Sequence, residues 1–243
     1  MRIVSWNCNG GLRRKTALLD DLNADILIVQ ECEDPAAYGA DYRTWAGDHI
    51  WIGDLRSKGL GIFARSGLQL EPLDWQGSEF RLFLPARIGG RFDMLGAWTQ
   101  NAKPASTAYI GQLWGYLQAN RKNLSECTLV CGDFNSNRIW DRPRRIGNHS
   151  HVVADLAQLG MVSLYHHRLE EEQGAETVPT FYLSRKAERP FHIDYIFAHQ
   201  DLTLQSGFSF EIGQAEQWLT ASDHLPLIAD LQIEHLPLLP RSS

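Results

Sequence analysis

Five short polar segments each lie at the edge of an apolar run: Ser5-Trp6-Asn7-Cys8-Asn9-Gly10, Val29-Gln30-Glu31, Gly132-Asp133-Phe134-Asn135, His192-Ile193-Asp194-Tyr195 and Ser222-Asp223-His224-Leu225-Pro226. Glu31, Asp133, Asp194 and Asp223 crowded into a poorly solvated cleft would repel one another strongly, and a divalent cation with an anionic substrate removes that repulsion. The pattern predicts a fold whose strand ends converge on one acidic metal site.

The apolar runs fix the rest of the outline. Ile3-Val4-Ser5-Trp6 and Ile26-Leu27-Ile28-Val29 read as buried strands, with Leu12, Leu18, Leu19 and Leu22 on one helix face between them. Extended stretches at 49–52, 60–65, 80–84 and 92–98, broken by glycines, predict antiparallel hairpins. A helix is expected over 109–120, and a strand over 128–131 delivers Gly132-Asp133. A second helix follows over 151–159, which Asn148-His149-Ser150 caps, and extended segments return at 180–183, 191–197, 202–210 and 225–233. Two rounds of this pattern predict two sheets packed face to face with helices outside. Residues 1–236 read as one domain and 237–243 as a loose tail.

Charge and cysteine usage narrow the partners. The net charge is −6, and the four carboxylates of the expected site account for most of it. A strongly basic duplex-binding surface is therefore absent, so long double-stranded DNA is disfavoured as substrate. No run approaches the ~20 apolar residues of a membrane span, and the start is too short for a signal peptide, which predicts no membrane insertion and a cytoplasmic location. Cys8, Cys32, Cys127 and Cys131 form no CxxC pair, and all four are expected as reduced, buried thiols.

In this order, and spread over nearly the whole chain, the five segments resemble the endonuclease/exonuclease/phosphatase superfamily, with its DNase-I-like fold. The closest motif match is to the apurinic-endonuclease branch. The resemblance implies an α/β protein, a four-layer sandwich of two packed mixed β-sheets flanked by helices, and cleavage of phosphate esters with Mg2+ or Mn2+. By residue, it implies that Glu31 is the principal metal ligand and that Asp223 assists it. His224 contacts the scissile phosphate and Asp194 hydrogen-bonds this histidine. Asp133 orients and deprotonates a water, Asn135 holds a phosphate oxygen, and Asn7 supports both metal and phosphate. Asp133 and Asn135, two apart on an extended segment, are expected on one side.

Two departures bear on the substrate. Asn9 stands where that branch carries an acidic metal ligand, so Asn9 leaves metal coordination one charge short. Ala97-Trp98-Thr99-Gln100-Asn101 resembles its Ala-Tyr-Val-Pro-Asn, which makes Asn101 a phosphate contact and puts Trp98 in place of a tyrosine. Basic loops follow two site motifs: Arg13-Arg14-Lys15, and Arg138, Arg142, Arg144 and Arg145 with Trp140 among them. Loops leaving site strands begin at the site's rim, so these guanidinium groups could bind flanking phosphates while Trp140 stacks on a base. Phe181, in Thr180-Phe181-Tyr182, resembles a pocket-lining position. The expected activity is a nuclease on single-stranded, short or damaged nucleic acid. The alternatives are a phosphatase or phosphodiesterase for a small organic phosphate or phospholipid head group, and a catalytically inactive binding module.

Overall fold

The computed structural model describes residues 1–65, 67–77, 79–104, 107–233 and 235–240. One six-stranded sheet runs, in spatial order, β13 (Ser209–Ile212), β14 (Leu227–Asp230), β1 (Arg2–Asn7), β2 (Ile26–Cys32), β4 (Lys58–Ala64) and β3 (Asp48–Leu55). The other runs β5 (Leu70–Pro72), β6 (Phe83–Ile88), β7 (Phe92–Trp98), β8 (Thr128–Asp133), β12 (Asp194–His199) and β9 (Met161–Ser163). Both are mixed: β1 pairs in parallel with β2, and β7 with β8, while the remaining ladders are antiparallel. A small ribbon of β10 (Phe181–Tyr182) and β11 (Pro190–Phe191) lies outside the two sheets.

The apolar runs are continuous because both faces of each central strand are covered. Ile3, Ile26 and Ile28 meet Met94, Leu129, Cys131 and Ile196 between the sheets. Their sequence neighbours Val4, Trp6, Leu27 and Val29 point the other way, onto α1 (Thr16–Asp20), α2 (Ala40–Ala46) and α6 (Ala215–Trp218) through Leu19, Tyr42 and Trp218. On the far side Leu95, Val130, Tyr195 and Phe197 pack against α3 (Ile110–Ala119) and α4 (His149–Ala157). Strand periodicity of two thus builds the expected four-layer α/β sandwich.

Several elements differ from the sequence expectation. The stretch 80–84 becomes β6 only from Phe83; Phe80 ends a turn on Gly77 and sets its ring edge-on to Tyr116 at 6.2 Å. The stretch 202–210 opens with a 3-10 turn at Gln200–Leu202, so β13 starts at Ser209. α4 begins at His149 rather than 151, because Asn148 caps it and His151 returns the bond. α2, α6 and α5 (Leu164–Leu169) were not legible, since seven, four and six residues are too few to display a helical period. The tail is not loose through residue 240: the Leu239 N–H donates to Gly90 O at 2.7 Å, Arg91 reaches Leu236 O, and Arg87 reaches Pro240 O. All four cysteines are buried and free, and among the described residues no helix is long and apolar enough to cross a membrane.

Candidate active site

Strand register brings the polar ends together. Asp133 closes β8 directly opposite Asp194, the first residue of β12. Asn7 ends β1 beside Gln30, and the next step of β2 slips, leaving Glu31 unpaired between Gln30 and Cys32 at φ 63°. Such a bulge re-aims one side chain out of the ladder, and its strained backbone is typical of a functional position. Gly132 is obligatory at φ 139°, since a Cβ there would sit 1.9 Å from Ala97 O. The turn that carries Asp223 and His224 is pinned to β1: Ser222 Oγ donates to Asn7 O at 2.7 Å, His224 N donates to Ser222 Oγ at 3.0 Å, and Trp6 Nε1 donates to His224 O at 3.0 Å.

The innermost group is a carboxylate–imidazole–carboxylate row. His224 Nδ1 lies 3.1 and 3.0 Å from the two oxygens of Asp194, and its Nε2 lies 4.0 Å from Asp133 Oδ2. Thr180 Oγ1 donates to Asp194 Oδ2 at 2.6 Å. Asp133 accepts from Asn7 Nδ2 at 3.0 Å, Asn135 Nδ2 at 2.9 Å and the Asn135 backbone N–H at 2.8 Å. With Asp133, Asp194 and His224 exposed by only 1%, 3% and 5%, solvent barely screens these charges. Burial alone would drive the His224 proton off, but Asp194 and Asp133 outweigh it and raise the imidazole well above its ordinary range. Burial, with the Asp194 charge, raises the Asp133 carboxyl against the opposing pull of His224. One group is thereby held as an imidazolium, and the other becomes a much better proton acceptor than a surface aspartate.

Asn135 is not on an extended segment. It lies beyond β8 at φ 45°, so its N–H and amide fold back onto Asp133 instead of projecting alongside it. Thr99 fixes this turn by accepting at its carbonyl from Asn135 Nδ2 at 3.2 Å and donating from Oγ1 to Phe134 O at 2.6 Å.

The residues expected at the metal are an all-oxygen set. Glu31 and Asp223 provide two carboxylates; the Asn9 amide donates to Asp223 Oδ1 at 2.9 Å, and the Asn9 N–H donates to Asn7 Oδ1 at 3.0 Å. Two carboxylates with neutral amides suit a hard dication that keeps several waters and accepts substrate oxygens. The Lys58 ammonium lies 2.7 Å from Glu31 Oε2 and 5.7 Å from the Trp98 ring centre. Asp133, Asp194 and His224 also bring ligand atoms within 4.8 Å of one another.

Around this centre the expected contacts separate. Phe181 sets its ring 4.5 Å from that of His224, and Trp140, 45% exposed, leans on Phe191 at 5.3 Å. Trp98 is almost wholly buried between the sheets, and with Asn101 and Lys58 it lines a cavity of about 420 Å³. Arg142 and Trp140 line a second cavity with Asn135. Arg138 does not: it starts a three-residue 3-10 turn whose successive side chains point about 120° apart, and it reaches Gln173 O instead. Arg13 also leaves the rim, pairing with Glu33 at 2.6 Å. Thr180, Thr99, Ser222 and Lys58 were missed by sequence reasoning. The first three act through neighbours distant in the chain, and Lys58 carries no signal beyond an ordinary basic residue entering a strand.

The architecture and the polar strand ends fit a family of phosphoric-ester hydrolases. The chain matches the endonuclease/exonuclease/phosphatase family over residues 4–224 and belongs to it; it is a phosphoric-ester hydrolase, and the family is divalent-metal dependent. A sequence comparison with curated proteins gives no match. Among solved structures, a 3′ phosphatase from Neisseria, NExo, bound to a product DNA hairpin is similar with a TM-score of 0.70 at 18% identity, over 96% of this chain and 99% of that one. An AP endonuclease from Archaeoglobus fulgidus gives 0.68 at 21%, covering 96% and 100%. The APE2 catalytic domain from Xenopus laevis gives 0.66 at 16%, covering 100% and 94%. At these identities the likeness establishes the fold.

Proposed function

We propose that the protein is a Mg2+- or Mn2+-dependent nuclease that hydrolyses phosphodiester bonds in single-stranded, short or damaged nucleic acid, with DNA favoured over RNA. The observation that carries this reading is the buried row Asp194–His224–Asp133 with Asn7 and Asn135 on the same carboxylate. It combines a buried proton acceptor, a positive charge 4.0 Å from it, and amides that fix the acceptor's orientation. The DNA hairpin on NExo and the designation of the Archaeoglobus protein as an AP endonuclease support DNA as the substrate.

In this reading Asp133 accepts a proton from a water aligned by Asn7 and Asn135, that water's oxygen forms the new bond to phosphorus as the ester P–O bond breaks, and the leaving oxygen keeps the bond's electron pair and takes a proton from solvent. The His224 imidazolium, kept charged by Asp194, stabilises the negative charge that builds on the phosphate oxygens. Glu31 and Asp223, with Asn7 and Asn9, would hold the dication, which would supply Lewis-acid chemistry at the phosphate ester. Phe181 supports the His224 ring, and Asn101 contributes a phosphate contact from the neighbouring cavity. The four buried free thiols suit the reducing cytoplasm.

The test is a panel of single- and double-stranded DNA, abasic DNA, RNA and small mono- and diesters, run with added Mg2+ or Mn2+ and a His224→Ala control. Turnover of DNA strands that the control lacks supports the proposal; turnover confined to small monoesters overturns it.

A further inference from the structure

Beside the catalytic row, a cavity of about 220 Å³ opens against Asn135, lined by Tyr109, Trp140, Arg142 and Arg145. Its chemistry is incomplete as it stands. Arg145 donates from Nη2 to Ala108 O at 3.0 Å, yet its Nε is buried with no partner. An unsatisfied donor on a permanent cation is costly until an acceptor reaches it, and an anionic acceptor satisfies it most strongly. The acid in the cavity wall does not neutralise it: Asp141 accepts from the His149 N–H at 2.8 Å, the Ser150 N–H at 3.1 Å and the Ser150 hydroxyl. The loop is also stiff where it matters, because Asn148 both accepts from the Arg142 N–H at 3.3 Å and donates to Arg142 O at 2.8 Å.

The aromatic walls give a second, independent sign. Tyr109 is held at φ 53°, ψ −123°, a conformation an L-residue adopts only under constraint, and the residue is 42% exposed. Strain of this kind, at a large aromatic side chain kept in solvent, points to use by a ligand. Trp140 presents a further exposed aromatic surface. The volume is below the ~300–1,000 Å³ of pockets for drug-sized ligands, so it suits a single nucleotide rather than a longer segment.

We propose that this cavity is a nucleotide subsite. It takes the unpaired base of the nucleotide adjoining the scissile phosphate against Tyr109 and Trp140, and that nucleotide's phosphate against Arg145 and Arg142. Resting on the nuclease reading above, the subsite makes the enzyme selective for strands with an unpaired residue at this position, because a paired base cannot enter.

The test uses a short single-stranded DNA carrying 2-aminopurine, bound to the full-length His224→Ala protein so that the strand survives. Arg145→Gln and Tyr109→Gly are then added singly. Each is expected to weaken binding at least tenfold and to abolish the quench of 2-aminopurine on binding. Tyr109→Gly is also expected to leave Tm equal or higher, since glycine relieves the positive φ; a merely structural tyrosine would lower it. Competition by deoxyadenosine monophosphate that Arg145→Gln removes supports the shared nucleotide chemistry. Binding of the strand far tighter than of the monomer assigns the pocket to a nucleotide within a chain, and equal affinity assigns it to a free nucleotide. Variants that remain folded by circular dichroism and bind the strand within twofold of the parent overturn the subsite. If the native enzyme cleaves DNA all the same, the nuclease reading survives that failure; if it cleaves no strand, that reading fails separately.

Discussion

Two loops of this protein look alike in sequence and do opposite work. Arg13-Arg14-Lys15 and Arg142 to Arg145 are both basic, and both follow a motif that ends a site strand. In the first, Arg13 is paired with Glu33 and Lys15 donates to the carbonyls of Cys8 and Gly10, with burial lowering the lysine's pKa. Those cations are consumed in holding the turn after β1. In the second, Arg145 keeps a buried donor unfilled at a cavity beside Asn135. Composition places positive charge near a site; the local acceptors decide whether any of it is left for a ligand.

Beneath both loops lies the chemistry, which should respond on a different scale. Chelation of divalent metal is expected to abolish turnover, with recovery on adding Mg2+ or Mn2+. Asp133→Ala should lower kcat at least ~100-fold, while circular dichroism shows a folded protein. Near-normal turnover by that variant would remove Asp133 from its assigned role.

The pH profile of kcat/KM should be bell-shaped. Because the Asp133 pKa is raised, the group is protonated and unable to accept a proton at pH values where a surface aspartate is already ionised; activity therefore falls on acidification along a limb displaced above the ordinary carboxylate range. Because the His224 pKa is raised, the opposite limb lies above the ordinary imidazole range, and activity falls as pH rises through it. Asp194→Asn removes a major charge that raises His224 and should move this basic limb to lower pH, with about a tenfold or greater loss near neutrality. A basic limb that stays in place would show that Asp194 does not set the histidine's charge.

The smaller effects compare the loops directly. Lys15→Ala leaves the Cys8 and Gly10 carbonyls short of a donor and should destabilise the fold by about 1–3 kcal/mol, with the salt dependence of strand binding preserved. Arg142→Gln should do the reverse, flattening the slope of log K against log salt by about 1 with no loss of Tm. If the two variants exchange these signatures, the distinction between a structural and a ligand-facing loop is wrong.

The chain's apolar runs and their polar ends determined much by themselves. Strands buried on both faces must read as continuous hydrophobic stretches, so β1, β2, β7 and β8 were legible, and so were the polar ends at which Asn7, Asp133, Asp194 and His224 meet. What only tertiary structure decided were the contacts made across long sequence separations. Thr180 reaches Asp194, Lys58 reaches Glu31, and Ser222 reaches Asn7 O, and no local pattern encodes such pairs. The backbone at Glu31 and Tyr109 adopts positive φ that their residue types do not announce, because packing around each position, rather than intrinsic preference, holds it there. The same reason separates Arg138 from Arg142: a side chain's direction out of a short turn depends on where the turn is docked, which the sequence of the loop does not state.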